Sequence, residues 1–243
     1  MLSFTEFVSI QESFNIEDDK LVLKSSDGIK SSFGKGKNLK PFTKKVLGDD
    51  LISYSLYQAN TTNSTDILKA FKTADYSTKE LQDFLTRSAI YAVKVLREIG
   101  VDVIVTPVSS SNLTKEFVNK IIERTNYDVY IDSFRKSPDI SKVKIDTNHP
   151  GITDDIVKSM KSILDRAIKR GNLSVKMFAV HHRKFLTNMF EVTDERLLQK
   201  INGKSVVIID DIMTSGTTTK NIYDILITNG ADKVSALTIF KSS

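Results

Sequence analysis

The 243-residue sequence predicts an α/β fold, a Rossmann-like parallel sheet with flanking helices, preceded by an N-terminal α+β element. Three observations lead there. Val206 to Ile209 form an uninterrupted aliphatic run, which suits a central parallel strand covered on both faces. Two strand–helix–strand units flank it in the alternating order of parallel sheets: Val101–Val105, a helix from Leu113 and Val129–Ile131, then Val206–Ile209, a helix to Leu226 and Val234–Phe240. The first 60 or so residues instead show short strand patterns around an Asp-Gly turn.

Taken in order, residues 1–75 read as the N-terminal element and 76–243 as the α/β domain. Leu21–Lys24, the turn Ser25–Gly28 and the chain from Ile29 predict a hairpin. A short helix from Ser64 is expected to bury Ile67, Leu68 and Phe71. Ser77-Thr78-Lys79-Glu80 reads as a capping box. The helix it opens carries an apolar stripe of Leu81, Phe84, Leu85, Ala89, Ala92, Val93 and Leu96, and Gly100 ends it. Thr106–Asn112 is the loop after the first strand of the domain, and the next helix buries Phe117, Val118, Ile121 and Ile122. Between the two units lie residues the simple pattern does not need. There Thr153 caps a helix with Ile156, Met160, Ile163, Leu164 and Ala167 on one face, ended by Gly171. The stretch from about 137 to 184 is a candidate lid or insertion.

Composition narrows the function. Hydrophobic content of 40% with 27% charged residues describes a globular chain able to bury a core. The absence of cysteine excludes disulfides, thiolate metal sites and cysteine nucleophiles. No apolar run is long enough for a membrane span and the start is too polar for a signal peptide, so a cytoplasmic protein without membrane contact is expected. A net charge of +5 suits anionic ligands. The basic stretch of Lys35, Lys37, Lys40, Lys44 and Lys45 is compatible with nucleic acid but lacks the aromatic interleaving that would support it, and reads as a solvated loop.

Asp210 and Asp211 end the aliphatic run, and Thr214-Ser215-Gly216-Thr217-Thr218 follow. Ligands of parallel sheets bind outside the carboxyl ends of the strands. Carboxylates are acceptor-only and match the vicinal hydroxyls of ribose. Gly216 permits a tight turn, and the amides that open the next helix, with neighbouring hydroxyls, form a nest for a phosphate. A sugar with a 5′-phosphate fits both halves. An ATPase strand fits less well. Gly203-Lys204-Ser205 precedes a strand rather than a helix, and Leu198 stands where a P-loop needs glycine. An ordinary core strand with a capped helix and no ligand is the other competing reading, and it leaves the hydroxyl-rich loop unexplained.

At these residues the chain resembles the type I phosphoribosyltransferases, whose signature for phosphoribosyl pyrophosphate (PRPP) is matched by Val206 to Thr218. The resemblance implies that Asp210 and Asp211 hold the ribose hydroxyls, as substrate-binding and catalytic residues, and that Thr214, Ser215, Gly216, Thr217 and Thr218 hold the 5′-phosphate. It implies a pyrophosphate loop at Ser109, Ser110 and Ser111, which departs from the family in lacking Arg, Lys and Gly. It also implies pyrophosphate-directed basic residues at Arg135 and Lys136, at the mouth of a flexible loop. The final sixty residues are similar to the ComF group through Arg183, Asn188, Phe190, Val192 and Gly203-Lys204-Ser205. Mg²⁺ is the implied cofactor, held mainly by PRPP, with Asp210 or Asp211 as its available protein ligands and no dedicated metal site.

The implied reaction is displacement of pyrophosphate from the anomeric carbon by a nitrogen nucleophile. The chain runs only three residues past Phe240, so a base-recognising hood is expected from the N-terminal element or the insertion. PRPP and an unidentified acceptor are the expected partners, and a homodimer is left open. A non-catalytic PRPP- or nucleotide-binding protein, ComF-like or regulatory, is the alternative. A PRPP synthetase is a weaker third, because only one copy of the domain is visible. His181 and His182 are expected to point apart in an extended segment, and all three histidines, with His149, to be structural or solvent-facing.

Overall fold

The computed structural model describes residues 13–17, 20–24, 29–31, 42–45, 51–59, 71, 74, 76–109, 111–213 and 215–242. The strands are β1 (Ser13–Glu17), β2 (Lys20–Lys24), β3 (Ile29–Ser31), β4 (Phe42–Lys45), β5 (Ile52–Ala59), β6 (Val103–Pro107), β7 (Asp128–Lys136), β8 (Lys144–Ile145), β9 (Leu186–Thr187), β10 (Phe190–Val192), β11 (Ser205–Met213) and β12 (Lys233–Ser242). The helices are α1 (Lys79–Ile99), α2 (Leu113–Ile122), α3 (Asp154–Arg170), α4 (Arg196–Lys200) and α5 (Thr217–Thr228).

Eight strands form the main sheet in the order β10-β7-β6-β11-β12-β5-β3, with β4 also on β5. The five from β7 to β5 are mutually parallel; β10, β3 and β4 pair antiparallel at the edges. This is the predicted α/β class. It is built on the predicted alternation: Val207 and Ile209 face one core with α1 and α2, while Val206 and Ile208 face a second with Ile222 and Leu226 of α5. Residues of β11 buried on both faces explain why the run shows no polar alternation.

The N-terminal hairpin differs from expectation. β2 pairs with β1, and β3 pairs with β5, so the strands on either side of Ser25–Gly28 are not partners. Two residues separate β1 from β2, the connection length hairpins favour, whereas four separate β2 from β3. β5, from the stretch read as N-terminal, is continuous with the main sheet through its parallel pairing with β12. The helix expected from Ser64 lies outside the described residues, apart from the buried Phe71; so do Lys35, Lys37 and Lys40 of the basic stretch, while Lys44 and Lys45 fall in β4.

α1 begins one residue later than the capping box requires. Its N-cap is Thr78, with no side-chain cap bond. Gln82 Nε2 instead donates to the Tyr76 carbonyl, at 2.6 Å, which ties the helix to the buried Tyr76. Gly100 ends α1 in the left-handed region (φ 68°), where a side chain would be strained. Ile122, expected inside, is 42% exposed because it closes the last turn of α2. The strand expected at Val101 starts at Val103 and runs to Pro107, and the strand expected to stop at Ile131 runs on to Lys136.

Residues 137–189 form a unit with its own apolar core of Val143, Met160, Leu164, Phe178, Phe185, Leu186 and Met189. α3 is capped as read, with Thr153 Oγ1 accepting from Ile156 N and Gly171 at φ 63°. His181 and His182 do not point apart. Val180–Phe185 is a 3-10 helix rather than an extended segment, and their rings lie 4.1 Å apart.

The aromatic cluster of Tyr57, Phe71, Phe84 and Phe240, with ring centroids 4.6–6.2 Å apart, joins β5 and β12 to α1. Phe84→Ala should cost about 3–5 kcal/mol in urea unfolding, whereas Ile122→Ala should stay within about 0.5 kcal/mol.

Candidate functional site

The chain reverses its direction of winding between β6 and β11. From β6 it crosses through α2 to β7 on one side, and from β11 through α5 to β12 on the other. The two strands pair only as far as Val105↔Ile208. Beyond that point no further register pair joins them, at their carboxyl ends, the position where parallel sheets take ligands. Val108, Ser109, Ser111 and Asn112 follow β6 on one side, and Ser215 and Gly216 follow β11 on the other.

β11 does not stop at Ile209 but carries both acids inside its last residues, Asp210 being opposite Thr238 and Met213 opposite Lys241 of β12. Asp210 is half-buried and accepts from the Asp211 amide at 2.8 Å. Asp211 is buried, 4% exposed, and takes the Ser111 hydroxyl on Oδ2 at 3.3 Å. This bond joins the ends of the two strands. Burial, then the Asp211 charge and then Glu116, raise the pKa of Tyr76 above the ordinary phenol value.

The turn after β11 leads into α5 at Gly216. Gly216 is the N-cap of α5 at φ 75°, a conformation that suits glycine. It brings no side-chain cap, and the first turn holds no acid. The leading amides of α5 therefore keep their positive potential for an external anion. Ser215 Oγ and Thr217 Oγ1 lie 2.9 Å apart; Thr217 is buried and Thr218 half-buried. Thr214 lies outside the described residues.

After β6, Ser109 Oγ accepts from the Ser111 amide at 3.1 Å and lies 3.4 Å from Ser111 Oγ. Ser110 is outside the described residues. The loop is fastened to β7 by the Val108 amide, which donates to the Phe134 carbonyl at 2.7 Å. Thr114, in the first turn of α2, keeps a buried hydroxyl without a partner among the described residues.

Arg135 and Lys136 are not at the mouth of a loop. β10 pairs antiparallel with β7 and extends the ladder to Lys136↔Phe190, so both lie within β7. The Arg135 guanidinium donates to Glu191, its cross-strand partner, at 2.8 Å. Both are exposed.

Two residues escaped the sequence reading. Asp132 sits at φ 54° in the middle of β7, with its amide on Thr106 Oγ1 at 2.8 Å. Aspartate tolerates this region, and only the irregular β6–β7 register reveals it. Asn221, 3% exposed, uses its whole amide on backbone: it accepts from Met189 N (2.9 Å) and donates to Leu186 O (2.9 Å) and Thr217 O (3.0 Å). It clips the nest helix to the 137–189 unit. A polar residue in an otherwise apolar helix face was its available signal.

Residues 77–243 match the sequence model of the family described as "Phosphoribosyl transferase domain". No curated protein is matched. Among solved structures, a hypoxanthine-guanine phosphoribosyltransferase from Bacillus anthracis is 14% identical with a TM-score of 0.37, over 66% of this chain and 67% of that one. A hypoxanthine phosphoribosyltransferase from Staphylococcus aureus gives 14%, 0.37, 66% and 64%, and one from Trypanosoma cruzi 11%, 0.37, 67% and 65%. The aligned stretch thus spans about two thirds of those chains, and likeness at this level says nothing about the acceptor.

Asn221→Ala should cost about 2–3 kcal/mol in urea unfolding, because three backbone groups lose their partner. Asn221→Asp, which keeps only the acceptor, should cost at least as much. The raised Tyr76 phenol adds stability that is complete below about pH 10, its unfolded pKa. That contribution should be lost as pH climbs from there through the folded pKa. Asp211→Asn should lower the Tyr76 pKa, read as phenolate ultraviolet absorbance against pH.

Proposed function

This chain belongs to the phosphoribosyl transferase family, and from that premise we propose that it binds PRPP between β6 and β11 and transfers the phosphoribosyl group to a nitrogenous acceptor with release of pyrophosphate. One observation carries the reading. An acidic pair and an uncapped, acid-free helix start stand on one turn of chain, at the point where two central strands diverge. Few ligands need diol acceptors and phosphate donors that close together; a ribose 5-phosphate does.

In this reading Asp210 and Asp211 accept from the 2′- and 3′-hydroxyls and fix the sugar ring. The α5 amides with Ser215, Thr217 and Thr218 anchor the 5′-phosphate. Two anchors on either side of the ring orient the anomeric carbon toward the incoming nitrogen. Negative charge from the acids favours the cationic sugar that develops as the C1′–O bond lengthens. The serine loop donates hydroxyls and amides to the leaving group. The 137–184 stretch, the candidate lid, would keep water from the activated sugar.

The donor set suits Mg²⁺. Asp210, Asp211 and Ser111 offer only oxygen, and no group of three or more His, Cys, Asp or Glu forms a cage among the described residues. Mg²⁺ favours such sites, with one or two carboxylates completed by water and phosphate oxygens. When bound it would supply charge neutralisation on the pyrophosphate.

The hydroxyl-only loop favours a second reading, a ComF-like or regulatory protein that binds PRPP without turnover. Incubation with PRPP, Mg²⁺ and a panel of bases separates the two: pyrophosphate release with one acceptor names the enzyme, and silence across the panel leaves the binder. Asp210→Asn with Asp211→Asn should weaken PRPP binding by about one to three orders of magnitude, measured by calorimetry. Equal affinities would remove the ribose assignment.

A further inference from the structure

All three histidines of the chain fall in the 137–189 unit, and the structure gathers them around one ring. Phe185, 1% exposed, belongs to the unit's own core with Met160 and Leu164. The His149 ring meets it edge-on with centroids 4.9 Å apart, and the His182 ring lies 6.4 Å from it. His181 adds a third imidazole, 4.1 Å from that of His182. The Lys184 ammonium sits 4.9 Å from the centre of the Phe185 ring. A Cβ built on Gly151 would meet His149 Nδ1 at 3.6 Å and Lys184 Nζ at 3.7 Å, so the ammonium and His149 border the same small space.

This packing suits neutral imidazoles. His149 Nδ1 accepts from the Gly151 amide at 3.1 Å, and a proton on that nitrogen would set donor against donor. Protons on both His181 and His182 would hold two cations at the 4.1 Å ring spacing, with Lys184 as a third. Burial, then His181 and then Lys184, keep the His182 pKa below the ordinary imidazole value; the charges acting on it are both basic. The other charged groups around the 3-10 helix Val180–Phe185 have their own engagements or add more positive charge. Arg183 donates to the Phe178 carbonyl at 3.1 Å, and Asp146 takes the Asn148 amide at 3.1 Å. α5, which packs on the 3-10 helix, presents Lys220 and Asp224 paired with each other. Lys144 and Lys176 are further bases, while Asp154 and Asp155 stand exposed at the start of α3.

The 3-10 helix runs directly into the residues that hold α5. The Phe185 carbonyl accepts from the Asp146 amide at 2.8 Å, which joins the helix to the segment carrying His149. One residue later the Leu186 carbonyl accepts from Asn221, and the Met189 amide donates to it. A displacement of Phe185 therefore reaches the Asn221 clip within four residues.

We propose that the histidines around Phe185 form an acid-sensitive latch: neutral, they seat the 3-10 helix on the unit's core, and protonated, they unseat it and free Leu186–Met189 from Asn221. The latch does not depend on which ligand the β6–β11 site takes. The lowered His182 pKa fixes its direction. The stability it contributes is complete above about pH 6.5, the unfolded value, and is lost as pH falls through the lower folded value.

Amide hydrogen exchange on the full chain, read by NMR as protection factors at about pH 7.5 and about pH 5, tests the latch. The Asp146 and Met189 amides should lose about 10-fold or more in protection on acidification, while Val207 in β11 keeps its own. In His181→Gln with His182→Gln that loss should be several-fold smaller. Equal protection at both pH values in the wild type, an undiminished loss in the variant, or a loss shared equally by Val207 would each overturn the proposal. Titration of the histidine Cε1 protons gives a second reading that needs no variant. The two amides should open along the curve of the His182 ring; opening centred near about pH 4 would belong to an aspartate and overturn the latch.

Discussion

β6 and β11 are hydrogen-bonded neighbours at the centre of the sheet, and their ladder ends three register pairs after it begins, at Val105↔Ile208. Everything at the candidate site follows from that separation. Each strand is held on its far side, β6 by β7 and β11 by β12, so neither can close the gap. The polar residues that follow the last pair include Asp211 and Ser111, which meet through a hydrogen bond between the two strands' ends. In a closed ladder the same aspartates would be edge decorations.

A division of labour follows from this geometry. β11 and α5 present one turn with acceptors on the strand side and donors on the helix side, while β6 and α2 contribute a loop of hydroxyls. Neither half carries a lysine or arginine toward the centre among the described contacts. Positive potential at the nest comes from the peptide dipoles of α5, which need no counter-ion and no flexible side chain.

Periodicity made the sheet legible. Val206 to Ile209 specify a strand buried on both faces, and the apolar stripe of α1 specifies its packing side, because burial leaves a regular imprint on sequence. The start of α5 was legible for a different reason: Gly216 among hydroxyl residues marks a tight turn, which the structure has at φ 75°. Strand ends were not legible. Arg135 and Lys136 read as loop charges because the pairing that holds them in β7 comes from Phe190–Val192, more than fifty residues later. The hairpin partner of β2 was missed for the same cause, since a Ser-Ser-Asp-Gly turn reports local preference and not which strand lies alongside. Asn221 shows the limit most clearly. Its value lies in two backbone atoms of one distant segment and a third in its own helix, and no pattern within α5 encodes the distant pair.

Asn221 has one more implication. Its amide fastens the first turn of α5 to Leu186 and Met189, so the start of that helix and the unit with the separate apolar core share a hinge pin. Slow breathing of one cannot leave the other at rest. Hydrogen exchange at the nest and within the 137–189 unit would then rise and fall as a single foldon, although the two are built around different cores.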